Sequence, residues 1–133
     1  MFKDLKGLVS EAEEKGLPMH RIVLEDEIEL TGNSEGLIYE RLEQRWQIMV
    51  SSALRALNEA QEMTGSLISG QSKKQNSYNE KGSTLSGSYI NSIMAMALSS
   101  CEINAGMGRI CAAPTAGSCG IIPAVMYATS EKL

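Results

Sequence analysis

Residues 35–64, EGLIYERLEQRWQIMVSSALRALNEAQEMT, decide how this chain folds. Ile38, Leu42, Trp46, Met49, Ala53, Leu57 and Ala60 recur at steps of three and four. That spacing places them on one face of an α-helix. At 3.6 residues per turn the stripe runs for about eight turns. Glu40, Arg41, Glu43, Arg45, Arg55 and Glu59 fill the remaining faces. Thr31-Gly32-Asn33-Ser34 ahead of it supplies turn and cap residues. A helix of this length is expected to be the spine of a helical domain, with Trp46 in the core rather than at a ligand.

Towards the N-terminus, Phe2, Leu5, Leu8, Val9 and Ala12 repeat at helical spacing, and Gly16 and Pro18 close the pattern. A short amphipathic helix over Phe2–Glu14 follows. His20–Leu30 is ambiguous: Ile22, Val23 and Leu24 suit a short extended segment or the start of a helix, and periodicity does not decide. His20 is the only histidine. It can be read as a general base, but no partner signature surrounds it, and a solvated loop position is preferred. Glu25, Asp26, Glu27 and Glu29 read as a solvated charged face rather than a metal or acid pair.

Towards the C-terminus, Gly65–Gly70 breaks the long helix. Residues 71–88 are polar and rich in Ser, Gly, Lys and Asn. Composition predicts a flexible surface loop, partly disordered, or a lid over a site. Lys73, Lys74 and Lys81 on it would be solvated or would meet a carboxylate. Tyr89–Cys101, YINSIMAMALSSC, is nearly apolar all round and predicts a buried helix with neighbours on every side. Glu102 and Asn104 then place polar groups in a buried run, where each needs a hydrogen-bond partner. Both are expected to hold the loop that follows. The fold class read from these patterns is all-α.

That loop, NAGMGRICAAPTAGSCGIIPAV over Asn104–Val125, is where chemistry is expected. Small residues allow close backbone approach, and glycines permit turns closed to other residues. Pro114 and Pro123 bracket an irregular segment. Pro123 suits the first turn of a last helix running to Leu133, whose N-terminal amides would face an anion in the loop. Cys119 lies where that helix opens, a setting that favours a thiolate and so a soft metal or an iron–sulfur cluster.

Glu102, Asn104, Ala105, Met107, Gly108, Arg109 and the unbroken run Ala113–Pro123 resemble the alpha chain of the iron–sulfur-dependent L-serine dehydratases, or L-serine ammonia-lyases. The likeness continues more weakly upstream, so it covers most of the chain. The chain in turn corresponds to the front part of the family's alpha region, an incomplete N-terminal portion over 1–133. The resemblance implies a helical catalytic domain with a ligand loop before its last helix. It implies that Cys119 is one of three protein ligands of a [4Fe–4S] cluster whose remaining ligands lie outside this chain. The iron without a cysteine would polarise the hydroxyl of L-serine as a Lewis acid while a base removes the α-proton, giving pyruvate and ammonia. Serine catabolism and gluconeogenesis are the metabolic setting implied. Thr115, Gly117 and Ser118 become candidate substrate contacts. Local turn and cap hydrogen bonds are the other reading of Thr115 and Ser118. Arg109 would pair with a carboxylate or anchor the loop.

Cys101, Cys111 and Cys119 are separated by nine and seven residues, which matches no compact cluster motif. Cys101 and Cys111 are therefore expected to be small buried hydrophobes; the alternative is that all three bind one metal. The resemblance also implies partners, a beta chain and the remainder of the alpha chain, without which the 133-residue chain should be inactive. The competing function is a non-catalytic helical interaction module that keeps the loop but no cluster.

Bulk properties narrow the setting. The chain has eight Met but one Trp, one Phe and four Tyr, a composition that favours helices and adaptable packing. A formal charge of −4 and no basic patch argue against nucleic acid. No run reaches membrane-spanning length, and the charged N-terminus lacks a secretory signal. Three cysteines without a C-x-x-C pair point to a reducing, cytoplasmic setting.

Overall fold

The computed structural model describes residues 2–62, 68–115 and 117–133. Among them the regular elements are six α-helices and no strands: α1 (Leu5–Lys15), α2 (Met19–Thr31), α3 (Glu35–Leu54), α4 (Gln71–Glu80), α5 (Gly87–Ala105) and α6 (Ser118–Ser130). The all-α expectation holds. The chain divides into two compact units, Met1–Glu43 and Gln44–Leu133.

In the first unit, Asp4 caps α1 by accepting from the Gly7 amide at 2.7 Å. Gly16, at φ 63°, ends it in the left-handed conformation that a Cβ disfavours. The ambiguous segment after Pro18 is helical, as α2. Its buried residues Ile22 and Leu24 sit two apart, so the apolar face was too narrow to announce its period. Leu8, Ala12 and Ile22 form the core, with Phe2 packed against it. Glu25, Glu27 and Glu29 face solvent, as does His20. Arg21 and Glu35 pair at 2.8 Å on the surface, an arrangement worth about 0–1 kcal/mol.

The second unit is held together differently. Its buried set is dominated by small and polar residues: Ser52, Ala53, Ala56, Ser72, Asn91, Ala95, Ser99, Ser100 and Glu102. The α3 helix stops at Leu54, short of the expected Thr64. The reason is a side chain inserted into the helical ladder. The Ser99 hydroxyl donates to the Ser52 carbonyl at 2.7 Å. It also accepts from the Ala56 amide at 2.9 Å. Those are the two groups an α-helix would join directly. Ser52 and Ser100 hydroxyls add a second link at 3.2 Å. Part of the expected break at Gly65–Gly70 falls on 65–67, outside the described residues.

The 71–88 segment is not a loop throughout: its first ten residues form α4. Its polarity serves hydrogen bonds to α5 rather than solvation. Ser72, Gln75 and Asn79 are spaced along one helical face, and each bonds α5. The Ser72 hydroxyl donates to the Ala95 carbonyl at 2.8 Å. Gln75 donates to Asn91 at 2.7 Å, and Asn79 donates to Ser92 at 2.9 Å. A helix can dock through hydrogen bonds as well as through an apolar stripe; the Asn79 Oδ1 is buried here without a hydrogen-bond partner among the described residues.

On the other side of α5, α6 packs closely. It begins at Ser118, five residues ahead of Pro123. The expectation of Pro123 in the first turn is thereby corrected: Pro123 is buried inside the helix. It offers no N–H to the carbonyl one turn back, a local weakening of the helical ladder. Trp46 is half-buried rather than a core residue, which corrects that expectation, and its ring packs 6.5 Å from that of Tyr127.

Candidate functional site

The candidate loop leaves α5 through a tight reversal. The Gly108 amide donates to the Ile103 carbonyl at 2.8 Å, and the Met107 amide donates to that of Asn104 at 3.1 Å. This pair of bonds is a Schellman ending, in which the residue at the left-handed position is normally glycine. Here it is Met107, at φ 60° and 94% exposed. A Cβ on Gly108 would lie 2.6 Å from the Ile103 side chain, so glycine is required one residue later. A polar cleft of about 360 Å³ opens beside this turn, lined by Arg55, Glu59, Gln61, Glu62, Gly106 and Gly108 among others.

Glu102 was expected to hold the loop that follows it. Instead it reaches back. Its side chain, in a residue 1% exposed, accepts from the Gly70 amide at 3.0 Å and from the Ser72 amide at 2.8 Å. It thus supplies the cap that Gly70 cannot, and places a carboxylate at the positive end of α4. Asn104 is exposed and takes no part in that cap.

Thr115 and Ser118 close the loop onto α6. The Ser118 hydroxyl donates to the Thr115 carbonyl at 2.8 Å. It accepts from the Thr115 amide at 3.1 Å and from the Thr115 hydroxyl at 2.9 Å. Both residues, and exposed Gly117 with them, lie at the loop surface. None of the three lines the cleft beside Gly108. Ala116 lies outside the described residues.

Cys119 sits in the first turn of α6 and is 7% exposed. Its neighbour Gly120 explains why α6 comes so close to α5. A Cβ there would stand 2.9 Å from the Ala97 carbonyl oxygen and 3.4 Å from the Cys101 sulfur. Cys101 and Cys111 are half-buried rather than core residues, which corrects the expectation for both. Burial pushes the Cys101 thiol above its ordinary range, with Cys119 and Glu102 adding to the effect. Sequence spacing alone does not bring the helix turns of Cys101 and Cys119 together; the glycine contact between their helices does.

Among the described residues, no three cysteine, histidine or carboxylate side chains converge as a metal site. Cys119 suits a single soft-metal position. A four-iron cluster needs several thiolates, so the described residues do not form a complete cradle for one.

The family described as serine dehydratase alpha chain matches residues 14–133 of this sequence. This chain belongs to the serine dehydratase alpha chain family. Two relatives show how far the serine dehydratase likeness extends. The L-serine dehydratase alpha chain of Peptoniphilus asaccharolyticus is 35% identical over 132 residues, covering 99% of this chain and 45% of that protein. The probable L-serine dehydratase alpha chain of Bacillus subtilis (strain 168) is 32% identical over 133 residues, covering 100% of this chain and 44% of that protein. The chain therefore spans less than half the length of these serine dehydratase relatives. No solved structure matches it. Among the described residues, no helix is long and apolar enough to cross a membrane.

Proposed function

We propose that this chain is part of a larger enzyme that converts L-serine to pyruvate and ammonia. One observation carries the reading: in a member of the serine dehydratase alpha chain family, the Ala113–Pro123 run holds Cys119 in the first turn of α6. Two relatives matched along nearly all of this chain bear the name L-serine dehydratase alpha chain, which supports the substrate.

In this proposal Cys119 gives one thiolate to a [4Fe–4S] cluster, and residues beyond those described complete the set. The cluster, when bound, supplies Lewis acidity toward a hydroxyl oxygen. The chain's own contribution is positional. Thr115 and Ser118 bond each other at the start of α6, and with Gly117 they offer hydroxyl and backbone groups to the charged ends of serine. Glu102 and Ser99 fix the helices behind that loop. A beta chain or beta-like domain and further alpha-chain residues are the proposed partners. Three cysteines outside any disulfide suit a reducing cytoplasm.

The test is made on the assembly that contains this chain. Cys119→Ser is expected to abolish serine-dependent pyruvate formation and to lower bound iron. A variant with full iron and full activity would overturn the reading. The 133-residue chain alone is expected to form no pyruvate and to hold no stable four-iron cluster after anaerobic reconstitution.

A further inference from the structure

We propose that Cys101 and Cys119 form a redox-linkable pair, joined in a disulfide across α5 and α6 by a two-electron oxidant such as a peroxide. The geometry starts at Gly120. Its missing side chain lets the first turn of α6 lie against the turn of α5 between Ala97 and Cys101, with the Cys101 sulfur 3.4 Å from where a Cβ would stand. Cys119 is the residue immediately before that contact. A disulfide demands Cα atoms roughly 4.4–6.8 Å apart, and the close packing at Gly120 sets the helix turn that carries Cys119 against the turn that carries Cys101. The Cys119 thiol also acts electrostatically on that of Cys101. Neither is in a disulfide in the structure.

The two sulfurs differ in access. Cys101 is partly exposed and is the sulfur that a small oxidant reaches; Cys119 is buried and resolves the product. Attack of the Cys101 sulfur on a peroxide breaks the O–O bond and leaves a sulfenic acid and one water. The Cys119 sulfur then displaces the sulfenic oxygen, which leaves as a second water with the thiol protons. One S–S bond forms, both sulfurs are oxidised and the peroxide is reduced. The pair itself stands on the α5–α6 contact. Its consequence for a cluster rests on the proposed function: a Cys119 sulfur held in a disulfide is withheld from iron until a thiol reductant releases it.

The experiment uses the full chain, without iron or serine, so its outcome is independent of the cluster reading. The reduced chain is treated with hydrogen peroxide, denatured in a thiol-blocking reagent, and mapped by mass spectrometry. Free thiols are expected to fall from three to one, with Cys101 and Cys119 in one cross-linked peptide that dithiothreitol separates. Cys111→Ser is expected to leave that cross-link in place, and Cys101→Ser to remove it. Separate over-oxidation of the two sulfurs, a link through Cys111, a link between two chains, or no loss of thiols would each overturn the proposal.

Discussion

The Ser99 hydroxyl donates to the Ser52 carbonyl across 2.7 Å and so stands inside the helix that Ser52 helps to build. It also receives the Ala56 amide. One side chain from α5 thereby replaces one backbone bond of α3, ends that helix and fixes the two in register. Ser99→Ala would leave a buried amide and carbonyl that must find each other again or go unpaired. A buried unpaired group costs about 1–3 kcal/mol. The urea midpoint is expected to fall by an amount in that range at unchanged slope; an unchanged midpoint would show that α3 simply recloses.

Glu102 does the same for α4. Two backbone amides, of Gly70 and Ser72, converge on one buried carboxylate. Glu102→Ala is expected to destabilise the second unit by about 3 kcal/mol, since hydrogen bonds to charged groups contribute about 1.5–3 kcal/mol. The local signature is faster amide exchange at Gly70 and Ser72 than in the core of α5. Equal exchange in variant and parent would show that Glu102 does not hold this end of α4.

How much of this was legible in the sequence depends on what kind of packing each helix uses. The stripe from Ile38 to Ala53 and the stop at Gly16 follow local rules, and they give helices where helices are found. The α4 helix escaped because Ser72, Gln75 and Asn79 look like solvated residues until α5 is placed beside them. The end of α3 escaped because it is set by Ser99, 43 residues from the amide it captures. At the candidate site, the mutual bonds of Thr115 and Ser118 span three residues and were readable as a local turn. The approach of Cys101 to Cys119 was not, because it depends on which glycine α6 turns toward α5.

Met107 occupies a left-handed backbone position that normally takes glycine. The penalty for a residue with a Cβ there is roughly 1–2 kcal/mol. Met107→Gly is therefore expected to raise the unfolding midpoint, offset in part by the greater freedom glycine gives the unfolded chain. Thermal unfolding of parent and variant decides it; a lower midpoint would mean that the exposed methionine side chain makes a stabilising contact.

Cys101 carries a pH signature. Burial first, and then the charges of Cys119 and Glu102, push its thiol up from an ordinary value of 9.0. The folded chain thus holds a proton that the unfolded chain releases at lower pH. The resulting contribution to stability is fully present below the unfolded pKa and is lost as pH rises through the folded one. Iodoacetamide alkylation of Cys101 is expected to inflect at higher pH in the native chain than in the denatured chain. An inflection at the same pH or lower would contradict the burial of that sulfur.

Gly120 ties the packing to the thiol pair. A methyl group at this position would meet the Ala97 carbonyl oxygen at 2.9 Å. That oxygen belongs to the backbone of α5 and cannot swing aside, so the helices must separate. Overpacking of this kind costs about 1–3 kcal/mol, and Gly120→Ala should lower the urea midpoint accordingly. The same displacement moves Cys119 away from Cys101, so the peroxide-driven cross-link should form more slowly or not at all in this variant. The two readouts separate the causes. A destabilised chain that still cross-links at the parental rate would mean that the sulfurs meet by another route than the glycine contact. A chain of parental stability would mean that α6 yields without strain. Loss of both places the close approach of α5 and α6 at the root of the pair.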